Sequence, residues 1–310
     1  MDTSPHKSDF IHVNGINLHY LDWGGDGETL IFLTGMGCSA HLFDKIAPRF
    51  TDKFRVVALT RRGQGESDYP ETGYDADTLI DDIYDFMDSL EIDKAILAGH
   101  SLAGVELTHF TERYPERVIE LVYLDAVYDG QGRMEALKHH PLNEIRPPEE
   151  KHEFSSIEEY IGYIKDIRPD LAQIWNETWD AAASFDLVRN SDGKHIEKDT
   201  SSIGKQMTEG MVEYKPDHAN IKVPVLSFVA VYEPLVPAYF TEEQNRTMLE
   251  FDRANWIPFQ QKEMAKFKKE IPQAKIIEIP DSNHYCFMSN EDLVYDEMRD
   301  FLLQRTKETL

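Results

Sequence analysis

The stretch A-G-H-S-L-A-G (residues 98–104) follows a short apolar run and precedes a segment with helical periodicity. Its serine, Ser101, has a glycine or an alanine two residues away on either side. In a sharp strand-to-helix turn the central residue takes strained backbone angles, and larger side chains two residues away would collide with the neighbouring strand and helix. The helix N-terminus that follows would also stabilise a developing negative charge. The pattern therefore favours an exposed nucleophile at Ser101 over a serine that only caps a helix.

The composition is that of a globular protein with an acidic surface. The chain has 310 residues, of which 41% are hydrophobic and 11% aromatic, and its formal net charge is -25. This length suits one large domain or a domain with an insertion. The charge argues against nucleic acids and anionic membranes as partners, because both are themselves negatively charged. Neutral and cationic small molecules stay open as ligands.

The sequence contains no recognisable signal for export, membrane insertion or metal binding. The N-terminal segment is polar, and no later run approaches the roughly 18 apolar residues of a membrane helix, so we expect a soluble, cytoplasmic protein. Two cysteines, Cys38 and Cys286, are too few for a disulfide framework. His139 and His140 form an isolated pair without further ligands at metal spacing. We therefore expect neither a metal ion nor a cofactor.

Apolar runs alternate with helical segments through the first part of the chain. Asn14-Gly15 separates two short runs and favours a tight hairpin turn. The segment 38–50 is a candidate helix, and in 75–90 the apolar residues recur at helical spacing. Such alternation is typical of a buried parallel sheet with crossover helices. The predicted strands are 10–13, 16–20, 29–33, 55–59, 95–98, 118–124, 223–231 and 275–279.

The pattern changes after residue 127. Residues 129–216 are polar and helical without a central strand, which predicts a helical insertion between two parts of one core, 1–128 and 217–310. The insertion leaves from the end of a strand, where ligands bind in open α/β sheets, so we expect it to form a cap. Its aromatic side chains either pack the cap on itself or line a cavity. These are Tyr160, Tyr163, Trp175, Trp179 and Phe185.

Three further motifs accompany the serine stretch. Residues 34–37 read T-G-M-G after a strand, residues 62–67 read R-G-Q-G-E-S, and Asn283-His284 follows the last predicted strand. Together with G-H-S-L-A (99–103), they resemble the motifs of the α/β-hydrolase fold family over nearly the full chain. The resemblance implies an α/β protein with a mostly parallel eight-stranded sheet, helices on both faces and a helical cap insertion.

The predicted chemistry needs more groups than the nucleophile. A serine hydroxyl is a weak nucleophile, so an imidazole must take its proton and an acid must orient that imidazole. His284 is the predicted base because the preceding strand and loop deliver it to the strand-end face. By resemblance, the backbone N–H groups of Met36 and Leu102 form the oxyanion hole. Gly35 and His100 are candidates to line the substrate pocket.

The acid has two candidates. Asp125 ends the strand before the insertion, a position that some relatives use, although many family members carry a non-catalytic aspartate there. Glu233 lies in a loop, 232–237, that resembles the family's usual acid loop with glutamate in place of aspartate and Ala230 in place of a glycine. The two are about even, with a slight preference for Asp125 because aspartate is the commoner triad partner.

The resemblance implies a serine hydrolase that cleaves an ester or lactone through an acyl-enzyme. Residues 59–63, 100–108 and 121–129 also resemble a bacterial esterase-like subgroup akin to serine-dependent macrolide esterases, which allows a bulky or cationic lactone. Epoxide hydrolases and dehalogenases of this fold need a carboxylate nucleophile, so Ser101 disfavours both. Two alternatives stay open: an aminopeptidase of the proline-iminopeptidase kind, and a binding protein that has kept the fold. The sequence does not indicate an oligomeric state.

Overall fold

The computed structural model describes residues 6–127, 130–141, 150–231 and 238–308. Eight of its strands form one sheet. The second strand pairs antiparallel with the first and with the fourth, and every other pair of neighbouring strands is parallel. The predicted α/β fold class with a mostly parallel eight-stranded sheet is therefore confirmed. The strands are β1 (Lys7–Val13), β2 (Ile16–Gly24), β3 (Thr29–Leu33), β4 (Arg55–Leu59), β5 (Ala95–His100), β6 (Val118–Leu124), β7 (Leu187–Arg189), β8 (His195–Glu197), β9 (Val225–Val231) and β10 (Lys275–Pro280).

The spatial order of the sheet is β1-β2-β4-β3-β5-β6-β9-β10. Helices cover both faces, and within the described residues no helix is both long and apolar enough to cross a membrane. The helices are α1 (Ala76–Ser89), α2 (Ala103–Arg113), α3 (Gly130–Leu137), α4 (Ile157–Ile167), α5 (Pro169–Ile174), α6 (Glu177–Phe185), α7 (Ser201–Glu213), α8 (Glu242–Phe251), α9 (Ile257–Glu270), α10 (Cys286–Ser289) and α11 (Glu291–Glu308).

Strand β5 lies in the middle of the sheet and is buried along its whole length. Its side chains alternate between two core clusters. Ile96 and Ala98 join the cluster that contains α11, whereas Ala95 and Leu97 join the one that contains α1 and α2. Because both faces are covered, the strand is an unbroken apolar run instead of an apolar–polar alternation. This burial fixes the direction in which the chain enters the serine turn.

The predicted hairpin at the start of the chain is confirmed. Val13 pairs with Ile16 across the turn, and both turn residues have positive φ angles, 52° at Asn14 and 75° at Gly15. Positive φ at both central positions is the requirement of a type I′ turn, which asparagine and glycine tolerate best. The Asn-Gly dipeptide was therefore sufficient to locate this hairpin.

The predicted single helix over 38–50 is wrong. The segment instead forms two short 3₁₀ turns, Ala40–Phe43 and Ala47–Phe50. Pro48 explains the interruption, because a proline in a helix interior lacks an N–H donor and clashes with the preceding turn. Short 3₁₀ turns accommodate the same apolar side chains, and both segments pack into the core cluster that contains α11.

The segment after residue 129 is mainly helical, as predicted, and comprises α3 to α7. It also contains the two-stranded hairpin of β7 and β8, which was not predicted because strands of three residues are too short to give a pattern. Leu171, Ile174 and Trp179 of this segment are buried in the same core cluster as α11. The proposed division at 128/129 lies outside the described residues, and the one at 216/217 stays a prediction.

The tight packing of helix α2 can be tested at Gly104. A Cβ atom on Gly104 would stand 1.8 Å from the carbonyl oxygen of Ala126. We expect Gly104→Ala to lower the free energy of unfolding by at least about 3 kcal/mol, because backbone and not a flexible side chain must move. Denaturant unfolding with linear extrapolation measures this.

The matched control is Gly162→Ala in α4, where an added Cβ meets nothing within 4 Å. This change should raise the free energy of unfolding by about 0.5–1 kcal/mol, because alanine favours the helix over glycine. Similar effects of the two substitutions would contradict the packing described for α2.

Candidate active site

Ser101 occupies the sharp turn between β5 and α2. Its φ of 55° lies in the left-handed region, which few non-glycine residues adopt. The Ser101 N–H donates to the Leu124 carbonyl at 3.3 Å, and the Ser101 carbonyl accepts from the Gly104 N–H at 3.0 Å. Strained backbone of this kind is concentrated at functional sites. The turn presents Ser101, with a partly exposed side chain, at the carboxyl end of β5.

The small residues around Ser101 follow from crowding. A Cβ atom on Gly99 would lie 2.9 Å from the Cβ of Ala103, closer than real Cβ atoms approach one another. A Cβ on Gly35 would lie 2.8 Å from His100 Nδ1 and 3.2 Å from the Ser101 Cβ. The pattern of small residues is therefore a requirement of packing. Gly35 and His100 contact the site's own residues, and their assignment as substrate contacts stays a prediction.

His284 and Asp125 come together at the same edge of the sheet. His284 Nδ1 donates a hydrogen bond to Asp125 Oδ2 at 2.6 Å, and the other carboxylate oxygen of Asp125 accepts from the Ala230 N–H at 3.0 Å. The Asp125 side chain is 2% exposed, whereas His284 is 27% exposed. Because a carboxylate only accepts, the proton lies on Nδ1 and the lone pair on Nε2, the form that a general base needs.

The residue before the serine holds the loop that carries His284. His100 Nε2 donates to the backbone carbonyl of His284 at 3.1 Å, and the two rings lie 4.6 Å apart between centroids. Complete burial, assisted by the nearby His284, lowers the pKa of His100 well below its usual range. His100 is therefore neutral and offers one N–H donor. In the described residues no hydrogen bond joins the Ser101 hydroxyl to His284, and such bonds often tighten only when substrate binds.

The two predicted oxyanion donors flank Ser101. Leu102 is the N-cap residue of α2, so its N–H belongs to a helix terminus, and Met36 lies in the loop that follows β3. The Met36 side chain is 40% exposed, whereas Leu102 is buried. Neither N–H donates to another described residue. Their role in an oxyanion hole stays a prediction that this geometry permits.

A buried ion pair that sequence spacing did not predict supports the loop of Met36. Arg61 donates through Nη2 to the Thr34 carbonyl at 2.7 Å and through Nη1 to the Gly35 carbonyl at 3.3 Å. Its Nε donates to Glu106 Oε1 at 2.6 Å, and both charged side chains are buried. Since Glu106 lies on α2, the pair joins the serine's helix to the oxyanion loop. The sequence signals for it were the Arg61-Arg62 doublet and the acid on the helix after Ser101.

The inserted helices contact the loop of His284. The Asn283 side chain donates through Nδ2 to the Asp170 carbonyl of α5 at 2.8 Å, and the Trp179 ring of α6 packs edge-on against Tyr285 at 5.1 Å. The residues on both sides of His284 are therefore in contact with the insertion. The role of the insertion as a cap over the site stays a prediction. Glu233, the other candidate acid, lies outside the described residues.

Known proteins place these motifs in a family. A sequence model of the α/β-hydrolase fold family matches residues 28–291, which is most of the chain. The chain belongs to the α/β-hydrolase fold family. The resemblance inferred from the motifs is thereby confirmed. The family match does not identify a substrate.

Curated relatives match shorter stretches. A 2-(acetamidomethylene)succinate hydrolase of Mesorhizobium japonicum is 36% identical over 101 residues, which are 33% of this chain and 36% of that protein. A non-heme chloroperoxidase of Streptomyces lividans is 38% identical over 117 residues, 37% of this chain and 42% of that protein. An epoxide hydrolase of Caenorhabditis elegans and a bifunctional esterase/perhydrolase of Acinetobacter calcoaceticus also match, at 35% and 34% identity. The chain spans 32% to 42% of the length of these relatives.

A solved structure extends the likeness to the whole chain. The crystal structure of E-2-(acetamidomethylene)succinate hydrolase superposes with a TM-score of 0.74, and the match covers 96% of this chain and 99% of that one. Sequence identity over this match is 22%, so the likeness shows the fold alone.

The ion pair of Arg61 and Glu106 gives a testable link between stability and reactivity. Glu106→Gln should lower the free energy of unfolding by about 3 kcal/mol, because it leaves the Arg61 charge buried without its carboxylate. It should also slow the reaction of Ser101 with a fluorophosphonate at least about tenfold, since the loop of Met36 loses its support. Denaturant unfolding and the rate of covalent labelling measure the two effects.

The control is Asp82→Asn, which breaks a second buried arginine pair. Asp82 accepts from Arg62 Nε and Nη2, both at 2.6 Å, and these contacts do not involve the oxyanion loop. Asp82→Asn should cost similar stability yet leave the labelling rate of the folded protein unchanged. Equal slowing in both variants would show that Glu106 affects reactivity only through global stability.

Proposed function

We propose that this protein is a serine hydrolase that cleaves a carboxylic ester or lactone through an acyl-enzyme intermediate. The observation that carries the proposal is the 2.6 Å hydrogen bond from His284 to the buried Asp125, at the sheet edge where the strained turn presents Ser101. A serine, a histidine oriented by a carboxylate and nearby backbone N–H donors are the groups that acyl transfer needs.

The first half-reaction forms the acyl-enzyme. Ser101 Oγ attacks the substrate's carbonyl carbon while His284 Nε2 takes the hydroxyl proton. The carbonyl oxygen becomes an oxyanion and accepts hydrogen bonds from the N–H groups of Met36 and Leu102. When the tetrahedral intermediate collapses, the bond to the leaving alkoxide breaks, and His284 returns the proton to that oxygen. Asp125 holds the Nδ1–H tautomer and stabilises the imidazolium that forms between these steps.

The second half-reaction releases the acid. A water molecule loses a proton to His284 Nε2 and attacks the acyl carbon, and the same two N–H groups stabilise the second oxyanion. Collapse breaks the bond between the acyl carbon and Ser101 Oγ, and His284 gives the proton back to the serine. For a lactone the two halves of the substrate stay joined, so the product is one hydroxy acid.

We assign the acid to Asp125. Its support is the direct hydrogen bond to His284 together with its second contact to Ala230 N–H, which fixes the carboxylate on two strands at once. A carboxylate held this rigidly keeps the imidazole in one orientation through both half-reactions. Glu233 is the alternative candidate for the acid.

Esters and lactones are the favoured substrates because the nucleophile is a hydroxyl. Some relatives are named epoxide hydrolases, but that chemistry in this fold needs a carboxylate where this chain has Ser101. Another relative is named a bifunctional esterase/perhydrolase. The net charge of -25 favours a neutral or cationic small molecule over an anionic one. Together with the subgroup resemblance of residues 59–63, 100–108 and 121–129, this extends the proposal to bulky lactones that carry an amino sugar.

A substrate panel with matched variants tests the proposed reaction. A fluorophosphonate should label the wild-type protein and leave Ser101→Ala unlabelled. Wild type should hydrolyse members of a panel of esters, simple lactones and amino-sugar macrolides, and Ser101→Ala should lower kcat at least about 10³-fold. An unreactive native serine would contradict the proposal and favour a binding protein. Faster turnover of aminoacyl amides than of esters would favour the aminopeptidase alternative.

The acid assignment has its own test. Asp125→Asn should lower kcat about 10⁴-fold, because asparagine cannot stabilise the imidazolium and leaves the wrong tautomer. Glu233→Gln should change kcat by less than about tenfold. Steady-state kinetics on the best ester of the panel measures both, with thermal unfolding to verify that each variant is folded. The reverse result would move the acid to Glu233.

A further inference from the structure

A buried cluster of histidines and carboxylates lies outside the proposed active site, and the mechanism uses none of its members. Its residues come from the segment before β1, from β2, from the first 3₁₀ turn after β3 and the residue that follows it, and from the turn after β4. Phe185 of α6 stacks on His41, with 5.5 Å between the ring centroids and 11° between the ring planes. We call it the histidine cluster. Its members are His6, His19, His41, Asp44 and Glu66.

Three of these side chains bring ligand atoms close together. His41 Nε2 lies 3.1 Å from Glu66 Oε1, and His19 Nδ1 lies 3.5 Å from Glu66 Oε2. One ligand atom from each residue lies within 4.8 Å of the other two. Nitrogen and oxygen ligands bind zinc at about 2 Å, so ligand atoms around one ion stand roughly 3–4 Å apart. The observed spacing therefore requires only small side-chain adjustments to admit an ion.

Both histidines have partners that orient them as ligands. His41 Nδ1 lies 2.8 Å from Asp44 Oδ2, which leaves Nε2 facing Glu66. His19 Nε2 lies 2.9 Å from the Ser8 hydroxyl, and His19 Nδ1 lies between Thr60 Oγ1 and Glu66 Oε2, at 3.0 Å and 3.5 Å. A carboxylate or hydroxyl on the outer nitrogen is the usual way in which a metal-binding histidine is held. An ion at His19 Nδ1 would replace the 3.0 Å hydrogen bond between that nitrogen and Thr60 Oγ1.

Charge also favours a cation at this point. The carboxylates of Asp44 and Glu66 face opposite nitrogens of the His41 ring. Buried charges are costly unless they are paired, and a cation beside Glu66 would pair with that carboxylate.

A cavity adjoins the cluster. A cavity of about 650 Å³ is lined by His6, Ser8, His41 and Glu66 on the core side. Its other wall is formed by α4 and α6 of the insertion, which contribute Glu158, Glu177 and Asp180. An acidic entrance raises the local concentration of cations.

We propose that His19, His41 and Glu66 bind one divalent transition-metal ion of the zinc class. Two imidazoles and a carboxylate match the ligand preference of zinc. Because Phe185 of α6 stacks on His41, the ion stabilises the contact between the insertion and the core and takes no part in the hydrolytic steps. Sequence spacing did not indicate such a site, because the three residues come from separate segments of the chain and form no motif.

Zinc binding to the untagged full-length protein, stripped with EDTA, tests the proposal. Competition with a chromophoric chelator gives stoichiometry and affinity, Co²⁺ absorption reports nitrogen and oxygen coordination, and thermal unfolding is measured with and without Zn²⁺. We expect one equivalent of Zn²⁺ and a higher Tm in its presence. Glu66→Gln and His41→Gln should each weaken binding at least about 100-fold, and Asp44→Asn about 10-fold to 100-fold.

Two controls separate this site from other histidine–carboxylate contacts. His109→Gln should leave zinc affinity unchanged, although His109 also stands between two carboxylates, with Nε2 2.8 Å from Asp77 and Nδ1 4.0 Å from Glu112. His6→Gln should likewise preserve binding, since His6 faces Asp44 on the other side of His41. A loss in His6→Gln with none in Glu66→Gln would overturn the proposed ligand set. Absence of stoichiometric binding to wild type would overturn the site itself, whether or not the variants fold.

Discussion

Steric crowding at the turn between β5 and α2 is the constraint on which the rest of the site depends. The first turn of α2 packs so closely on the chain after β6 that Gly104 leaves no room for a Cβ beside the Ala126 carbonyl. A Cβ on Gly99 would likewise lie too close to the Cβ of Ala103. The turn can close only with small residues there and with Ser101 at a positive φ. A reactive side chain is therefore held at the sheet edge by packing that allows few substitutions.

The parallel sheet converts distant segments into one site. Strands β3, β5, β6 and β9 are neighbours with the same direction, so the residues that follow them meet at one edge. Asp125 is bonded to the N–H of Ala230 at the end of the adjacent strand, and Arg61 with Glu106 links the loop after β3 to α2. A buried ion pair holds its two side chains together, because either charge is costly to bury without the other. The sheet and the ion pair of Arg61 and Glu106 thus hold the residues of the candidate site in place.

The insertion contacts the core with different chemistry near the candidate active site and at the histidine cluster. Near the candidate active site, the contacts are a hydrogen bond from Asn283 and the edge of Trp179 against Tyr285. At the histidine cluster, the contact is the ring of Phe185 stacked on His41. Apolar packing and ring stacking alone give limited directional restraint, and the proposed ion would add such restraint at the histidine cluster. Substrate access and the stability of the insertion would then be controlled at separate positions.

Local sequence alone determined the elements that depend on neighbouring residues. The Asn-Gly hairpin, the buried strand β5, the small residues around Ser101 and the helical character of the insertion were all predictable, because turn geometry and periodicity act over a few positions. Pro48 contradicted the helix expected over 38–50, although its effect is also local. Only the tertiary structure decided that Asp125 faces His284, that Arg61 is buried against Glu106, and that His19, His41 and Glu66 converge. Those contacts join residues far apart in the chain, and their geometry is set by strand order and packing, which sequence spacing does not encode.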